Sequence, residues 1–470
     1  MEVKVSVEYI DIRCCGKTAP CPICGRRGKR KVILPARLVR TIAYKKVVYL
    51  RITAAEYHAR CNCCKTFRSR PEEVGARCHY DNRVRDAVIA RIVEDGMDVQ
   101  KLREAMKRDF LLDLSEGFVY DCLRDKVKQL DMAEYRRWVG ERFSGTLCVD
   151  ELHLGRYTLL LATDPLGDFP VAFALVDKND QAHMRRFLQN MKRSGLTPEV
   201  VITDGSDLYP KLLAALWPDA RHQLCVFHVI KDINDHVLDA ARRMRRELSR
   251  RGNKGRRPRR GRRTKAQRAY AKRRKKLLKE QAHFVHKHRY LIIKHKEDLN
   301  QEEQKTLRTM FDYLPALKTL GAFAERVYRL FDPKNSEHQA YCRRAAMLHD
   351  NTFAQVPELA KALQMLDDVR FPKMIAFLKS PATRRIRTNN HVERTNRKLR
   401  YYEKVRYKWR RRRNIVRFLL LAIDRWRRGH RFTLPKTPST KPNTHHNANI
   451  NIRRHTIPTL AIGTTYAQSG

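Results

Sequence analysis

Between residues 145 and 204 three short apolar runs, a helix-period stretch and a fourth apolar run follow one another, and this order restricts the fold more than any other feature of the chain. Gly145-Thr146-Leu147-Cys148-Val149 reads as a strand that ends on Asp150 and Glu151. Tyr157–Thr163 is a second run, Asp164-Pro165-Leu166-Gly167 a turn signal, and Phe169–Val176 a third run. Short runs joined by a tight turn predict antiparallel neighbours. Met184, Phe187, Leu188 and Met191 then recur at the spacing of one helix face, closed by Gly195. Val200-Val201-Ile202-Thr203 is a fourth strand, ending on Asp204. A helix over 208–216 and a short strand over 221–226 extend the series, with Cys225 and His228 beyond it. The pattern predicts an α/β core of order β-β-β-α-β-α-β-α, with Asp150 and Asp204 at the ends of separate strands. Strand ends are where such a sheet displays its reacting groups. A single aspartate there is more often a turn cap; two in one sheet invite a chemical reading.

Charge narrows the partner. Lysine and arginine number 100 against 50 acidic residues, a net charge of +50 with a pI near 10.3. An excess this large points to a polyanion, nucleic acid or an anionic membrane surface. At 42% apolar residues the chain is not a disordered tail protein. The longest apolar stretch, Phe418–Ile423, falls far short of the roughly 20 residues that span a bilayer. Met1-Glu2-Val3-Lys4-Val5 lacks a signal-peptide pattern. A reducing, cytoplasmic setting and no membrane are therefore expected, and the 12 cysteines read as metal ligands or free thiols before disulfides. The charge is concentrated. Residues 241–279 hold 21 basic residues and one acidic residue, and residues 384–413 hold 14 and two, so the two windows carry +32 of the +50. The first, with Arg256-Arg257-Pro258-Arg259-Arg260, reads as a mobile arm or an extended helical insertion. Residues 431–470, rich in Thr, Pro, Asn and His without strand or helix period, read as a disordered tail.

Cys21-Pro22-Ile23-Cys24 and Cys61-Asn62-Cys63-Cys64 form two knuckles of the kind that aims paired thiolates at one zinc ion. Runs at 31–34 and 47–52 supply short strands, as in a zinc ribbon. The separation exceeds the roughly 15–20 residues of the commonest pattern, so the ribbon carries a longer hairpin. The expected ligands are Cys21, Cys24, Cys61 and Cys64; Cys63 competes with Cys64, and Cys14, Cys15, Cys78 and His79 lie nearby. Four thiolates leave no open position, so such a zinc is structural. Next, residues 83–94, 99–110 and a stretch capped by Ser115 each show helical spacing. Three short helices suit a helix-turn-helix, or equally a plain three-helix bundle.

A third carboxylate lies in Thr388-Asn389-Asn390-His391-Val392-Glu393-Arg394-Thr395-Asn396, which opens the second basic window. Together with Val149-Asp150-Glu151, Thr203-Asp204-Gly205 and Cys225-Val226-Phe227-His228, this arrangement resembles the DDE transposases of bacterial insertion sequences, closest to the Mutator-related group with an N-terminal zinc ribbon and helix-turn-helix. The resemblance implies an α/β RNase H-like catalytic core interrupted by a large helical insertion. It implies an acidic triad of Asp150, Asp204 and Glu393, with the family's Cys-x-x-His falling on Cys225 and His228. Asn390, Arg394, Asn396 and Arg397 are further near-site or DNA-contact candidates. Phosphodiester cleavage by such a triad uses two Mg²⁺ ions, or Mn²⁺, held by hard oxygens. The implied partners are the terminal inverted repeats of the element and target DNA, with a homodimer or larger assembly on DNA and a nucleoid-associated location.

The resulting division is a zinc ribbon over 1–80 and a helix-turn-helix over 81–142. The first part of the catalytic domain spans 143–232, the helical insertion 233–382, and the final catalytic part, with Glu393, 383–430. Rival readings are a catalytically inactive transposase-derived regulator, an RNase H-like nuclease, and a zinc-ribbon RNA-binding protein. The first would have lost a triad carboxylate, the second has less need of the front modules, and the third leaves the acidic strand ends unexplained.

Overall fold

The computed structural model describes residues 7–251, 264–379, 386–405, 411–428 and 451–457. The chain divides into two compact units: residues 1–135 with 399–470, and residues 136–398.

The first unit begins with six strands, β1 (Val7–Cys14), β2 (Thr18–Pro20), β3 (Arg27–Ile33), β4 (Arg37–Thr41), β5 (Val47–His58) and β6 (Thr66–Arg68). The long β5 organises them: β1 pairs with it in parallel, and β3, β4 and β6 pair antiparallel. Alternation along β5 buries Val48, Leu50 and Ile52 and then Ala55 and Tyr57. Gly28 of β3 sits so close to β5 that a Cβ there would lie 2.5 Å from the His58 carbonyl oxygen, which leaves glycine as the fitting residue. Three helices follow, α1 (Asn82–Val93), α2 (Val99–Phe110) and α3 (Glu116–Lys128), whose N-termini are capped by Asp81, Asp98 and Ser115. Val84, Val88, Leu102, Met106, Val119 and Cys122 form their shared core.

Helix α4 (Met132–Arg142) leads into the second unit, whose sheet contains β7 (Thr146–Leu154), β8 (Tyr157–Asp164) and β9 (Phe169–Val176). Helix α5 (Gln181–Arg193), strand β10 (Val200–Thr203), helix α6 (Pro210–Leu216), strand β11 (Arg221–Leu224) and helix α7 (Val226–Arg251) complete the β-β-β-α-β-α-β-α order. The sheet order is β11-β10-β7-β8-β9, with β7, β8 and β9 antiparallel and β10 parallel to β7 and β11. This mixed α/β arrangement is consistent with an RNase H-like core. The apolar face of α5 buries Met184, Phe187, Leu188 and Met191.

A helical segment follows: α8 (Lys265–His288), α9 (Gln301–Tyr313), α10 (Leu317–Leu330), α11 (Glu337–Leu348), α12 (Asn351–Ala354), α13 (Pro357–Gln364) and α14 (Phe371–Met374). It shares one core with α7, built on Ile233, Val237, Phe323, Val327, Phe353 and Phe371. Buried Gln223 of β11 ties this segment to the sheet, donating to the Met374 carbonyl at 2.9 Å and accepting from the Phe377 N–H at 2.7 Å. The basic stretch 241–279 is helical up to Arg251 and again from Lys265; its centre, 252–263, lies outside the described residues. Helix α15 (Asn390–Val405) carries the chain out of the second unit, and α16 (Arg412–Arg428) and β12 (Asn451–Ile457) return it to the first.

Three sequence expectations change here. Residues 399–430 were expected in the catalytic part, yet α16 packs on α3 and α1 because Phe418 and Leu421 bury with Val119 and Cys122. The terminal segment 431–470, expected to lack structure, contributes β12, whose backbone pairs antiparallel with β1; its other residues lie outside the described ones. The helix expected over 208–216 begins at Pro210, the first-turn position that suits a residue without an N–H. No helix among the described residues is long and apolar enough to cross a membrane.

Candidate active site

Strands β7 and β10 run parallel with Ile202 opposite Cys148, so the chain leaving β10 places Asp204 level with Asp150. Carboxylate oxygens of Asp150, Glu151 and Asp204 all lie within 4.8 Å of one another. Each is held by a different neighbour. Asp150 Oδ2 accepts from the Asn396 side-chain amide at 2.8 Å, and Glu151 Oε1 accepts from the fully buried Tyr209 hydroxyl at 2.7 Å. Asp204 Oδ1 accepts from the Ser206 N–H at 3.0 Å. Among the described residues no lysine or arginine forms a salt bridge with any of the three. Burial, with the charges of Glu151 and Asp204, pushes the Asp150 carboxyl from its ordinary 3.8 up to about 7, against the opposing hydrogen bonds from the Glu151 backbone and Asn396. Burial also raises Glu151. Crowded carboxylates of this kind favour either a proton or a cation.

The start of α15 is pinned against this sheet. Fully buried Asn389 donates from its amide to the Val149 carbonyl at 3.0 Å and from its N–H to Cys225 Sγ at 3.2 Å. His391 bridges Thr163 Oγ1 (2.9 Å) and Asp168 Oδ1 (2.8 Å), and Arg394 donates to Asp168 at 3.0 Å. Burial lowers the His391 pKa, so its ring is held neutral. Glu393 does not join the group formed by Asp150 and Asp204. Its carboxylate gathers instead with Cys225 and His228, the three ligand atoms lying within 4.8 Å. Three residues later on the same helix, Asn396 reaches Asp150. Asn390 and Arg397 are exposed on α15.

Sequence reasoning passed over Glu151 and Tyr209. Alternation along a strand sends neighbouring side chains to opposite faces, so adjacent Asp150 and Glu151 carry no sequence signal of a shared site. β7 runs on to Leu154, so Asp150 and Glu151 lie in mid-strand rather than at the expected strand end, and the Glu151 carboxylate still reaches the group. Tyr209 precedes α6 without any local signal.

In the first unit, sulfur atoms of Cys21, Cys24, Cys61 and Cys63 lie within 4.8 Å of one another. Cys63 joins this group, and the sulfur of the expected ligand Cys64 lies beside it, 3.8 Å from Cys21 Sγ. The turn after β5 is closed by the Ala59 N–H on the Lys65 carbonyl at 3.1 Å and carries all three cysteines, Cys61, Cys63 and Cys64. Backbone N–H groups of Cys24 and Ile23 lower the Cys21 thiol to about 6, while the hydrogen bond with Cys24 pushes Cys63 up to about 12. One sulfur is thus readily a thiolate within a set of four soft donors, which suits zinc.

The second unit also matches known proteins. Residues 147–417, more than half of the chain, match the family model DDE_Tnp_ISL3, described as Transposase. The chain belongs to this transposase family. Among solved structures it is similar to a chain of the Drosophila P element transposase strand transfer complex, at 12% identity and a TM-score of 0.38, over 73% of this chain and 91% of that one. No curated protein matches the chain.

Proposed function

We propose that this transposase binds the terminal inverted repeats of a bacterial insertion sequence and catalyses metal-dependent cleavage and strand transfer of DNA. The observation that carries the reading is the convergence of Asp150 and Asp204 from parallel neighbouring strands, with Glu151 beside them and, among the described residues, no lysine or arginine in a salt bridge with them. Hard oxygen donors with unbalanced negative charge fit Mg²⁺ or Mn²⁺. When bound, such an ion supplies charge stabilisation for the attacking and leaving oxygens of a phosphodiester. The chain's own contributions are distinct. Asn396 orients Asp150, Tyr209 orients Glu151, and the His391–Asp168–Arg394 contacts hold the first turn of α15 in place. Glu393 is the third member of the DDE triad implied by the resemblance, carried by that same helix. The strong basic excess supports a DNA partner, to which the phosphate backbone would bind through counterion release.

In this reading the Cys21–Cys63 cluster is a structural zinc site of a ribbon, and α1–α3 form a helix-turn-helix that recognises the element ends. The Mutator-related grouping, a cytoplasmic and nucleoid-associated location, and a homodimer or larger assembly on paired ends belong to the same proposal. The test is a Mg²⁺-dependent cleavage assay on the element's own ends, with Asp150→Ala beside the wild type. Cleavage by the wild type alone supports the reading; equal cleavage by both, or by neither at any divalent ion, sinks it. Binding that does not weaken with salt would remove the role assigned to the basic windows.

A further inference from the structure

Helix α8 carries a concentration of charge for which the carboxylate site has no use. From Lys265 to Lys279 it holds eight lysines and arginines and no acidic residue, and all eight side chains are exposed. Like charges this dense weaken an isolated helix. Here a capping box of Thr264 and Gln267 closes its start, and near its end Ala282 and Val285 are buried, Val285 in the core shared with α7. At 100° per residue, Lys265, Arg268, Lys272, Lys275, Lys276 and Lys279 fall within one sector about 100° wide, and His283 and Lys287 continue it toward the C-terminus. Half-buried Ala271 and Leu278 and buried Val285 lie on a different face, so the stripe meets solvent. Of the six, only Lys276 has an acidic partner among the described residues, Glu280 at 3.9 Å, an exposed pair that contributes little. Helix α7 adds to the same field. Burial and the charges of Arg289, Arg245, His283 and Arg242 hold the His286 pKa below its ordinary 6.5, so cations of both helices crowd one place. Arg245 has its Nε buried without a hydrogen-bond partner.

We infer that the exposed stripe of α8 is a second DNA-binding surface, which grips the phosphate backbone of a duplex without reading its sequence. The 24 residues of α8 extend about 36 Å at 1.5 Å per residue, close to one turn of B-DNA. Duplex DNA carries a phosphate charge for roughly every 1.7 Å of its axis, so a stripe of this length meets phosphates throughout. Contacts to phosphates fix position and carry no sequence information. Asn, Gln, Asp and Glu, which pair with adenine and cytosine edges, are absent from the six stripe positions. Single strands are held on aromatic platforms where bases stack, and these positions contain no Phe, Tyr or Trp. The inference rests on the reading of the chain as a DNA-acting transposase and deepens it. Helices α1–α3 are assigned to the element ends, whereas α8 takes any duplex, element flank and target DNA alike.

The test needs no cleavage. The full chain, with no magnesium or manganese added, is compared with its Lys272→Gln, Lys275→Gln, Lys279→Gln triple variant by fluorescence anisotropy. The probes are duplexes of about two helical turns and unrelated sequence. The three lysines are exposed, so the melting temperature should stay at its wild-type value. Each lost phosphate contact removes about 0.9 from the slope of log affinity against log salt, so the slope should become shallower by about 2–3 for every sequence, and affinity near 0.1 M salt should fall at least about tenfold. Arg274→Gln removes a charge from the opposite face of α8 and should leave the slope as it is; a drop equal to that from one stripe lysine would make charge alone the cause and overturn the assignment. Unchanged slope and affinity in the triple variant overturn it, as does a loss confined to duplexes that carry the element ends. A duplex RNA of the same length, bound more tightly than the DNA through the same lysines, would give the surface to RNA and overturn it as well. No strand is cut in these measurements, so a failed stripe leaves the cleavage assay standing by itself. A chain that cleaves nothing, yet loses unspecific duplex binding with the three lysines, keeps the stripe.

Discussion

The cysteine cluster of the first unit and the carboxylate group of the second both gather metal-binding atoms, yet they are assembled in opposite ways. Cys21 and Cys24 share one turn and Cys61 and Cys63 another, so each half of the cluster is made locally; only the strands between them bring the halves together. The carboxylates depend on the sheet. Asp150 and Asp204 meet because β10 runs beside β7, and their support arrives through Tyr209 and Asn396 from elsewhere in the chain. Donor chemistry differs as sharply: soft sulfurs, one of them held as a ready thiolate by backbone N–H groups, against hard oxygens that burial drives toward protonation. A locally built site of soft donors suits a resident structural ion. An oxygen site that forms no salt bridge with a lysine or arginine among the described residues suits an ion that exchanges with substrate.

The contrast can be broken most sharply at the oxygens. Asp150→Ala or Asp204→Ala should take strand cleavage below detection while binding to element ends stays near wild type; loss of binding in both would show that the carboxylates hold the fold instead. In the cysteine cluster, Cys21→Ser with Cys24→Ser should abolish bound zinc, lower the melting temperature and weaken end recognition. Metal analysis and a binding isotherm read this out, and unchanged binding by a zinc-free wild type would dissolve the comparison. Asn396→Ala should cost about 10–100-fold in cleavage or Mg²⁺ affinity, the usual penalty for removing a group that orients a metal ligand. A loss confined to thermal stability would reduce Asn396 to packing.

The smallest effect concerns protons. In the metal-free protein Asp150 keeps its proton up to about pH 7, whereas in the unfolded chain it releases it near 3.8. Between those values the folded state binds more protons, so stability should fall as pH rises through this window and level off above it. Mg²⁺ needs the ionised carboxylate, so its affinity should climb toward pH 7 and then flatten. Thermal melts with and without Mg²⁺ across that range check both trends, and Asp150→Asn should flatten them.

Much of the second unit was legible because its strands are short, apolar and ordered, and because α5 carries an unbroken apolar stripe at Met184, Phe187, Leu188 and Met191. Asp150 and Asp204 followed from position alone, each being the residue on which an apolar run ends. Helices α1–α3 followed from their spacing and, for α3, from the cap Ser115; the caps Asp81 and Asp98 emerged only in the structure. What escaped depended on contacts between distant segments. α16 belongs with α1 and α3 only because Phe418 and Leu421 find their partners there, and β12 exists only through its pairing with β1.

The sequence by itself determined the donor types, the local knuckles and the order of strands, since these rest on side-chain chemistry and on the periods of helix and strand. Only the tertiary structure decided which donors share a site. It brought Cys63 as well as Cys64 close to the other cysteines, added Glu151 to Asp150 and Asp204, and gathered Glu393 with Cys225 and His228. The physical reason is the same in each case: reach and direction are set by backbone register and by the packing of one segment on another, and neither is encoded in the spacing of residues along a single run.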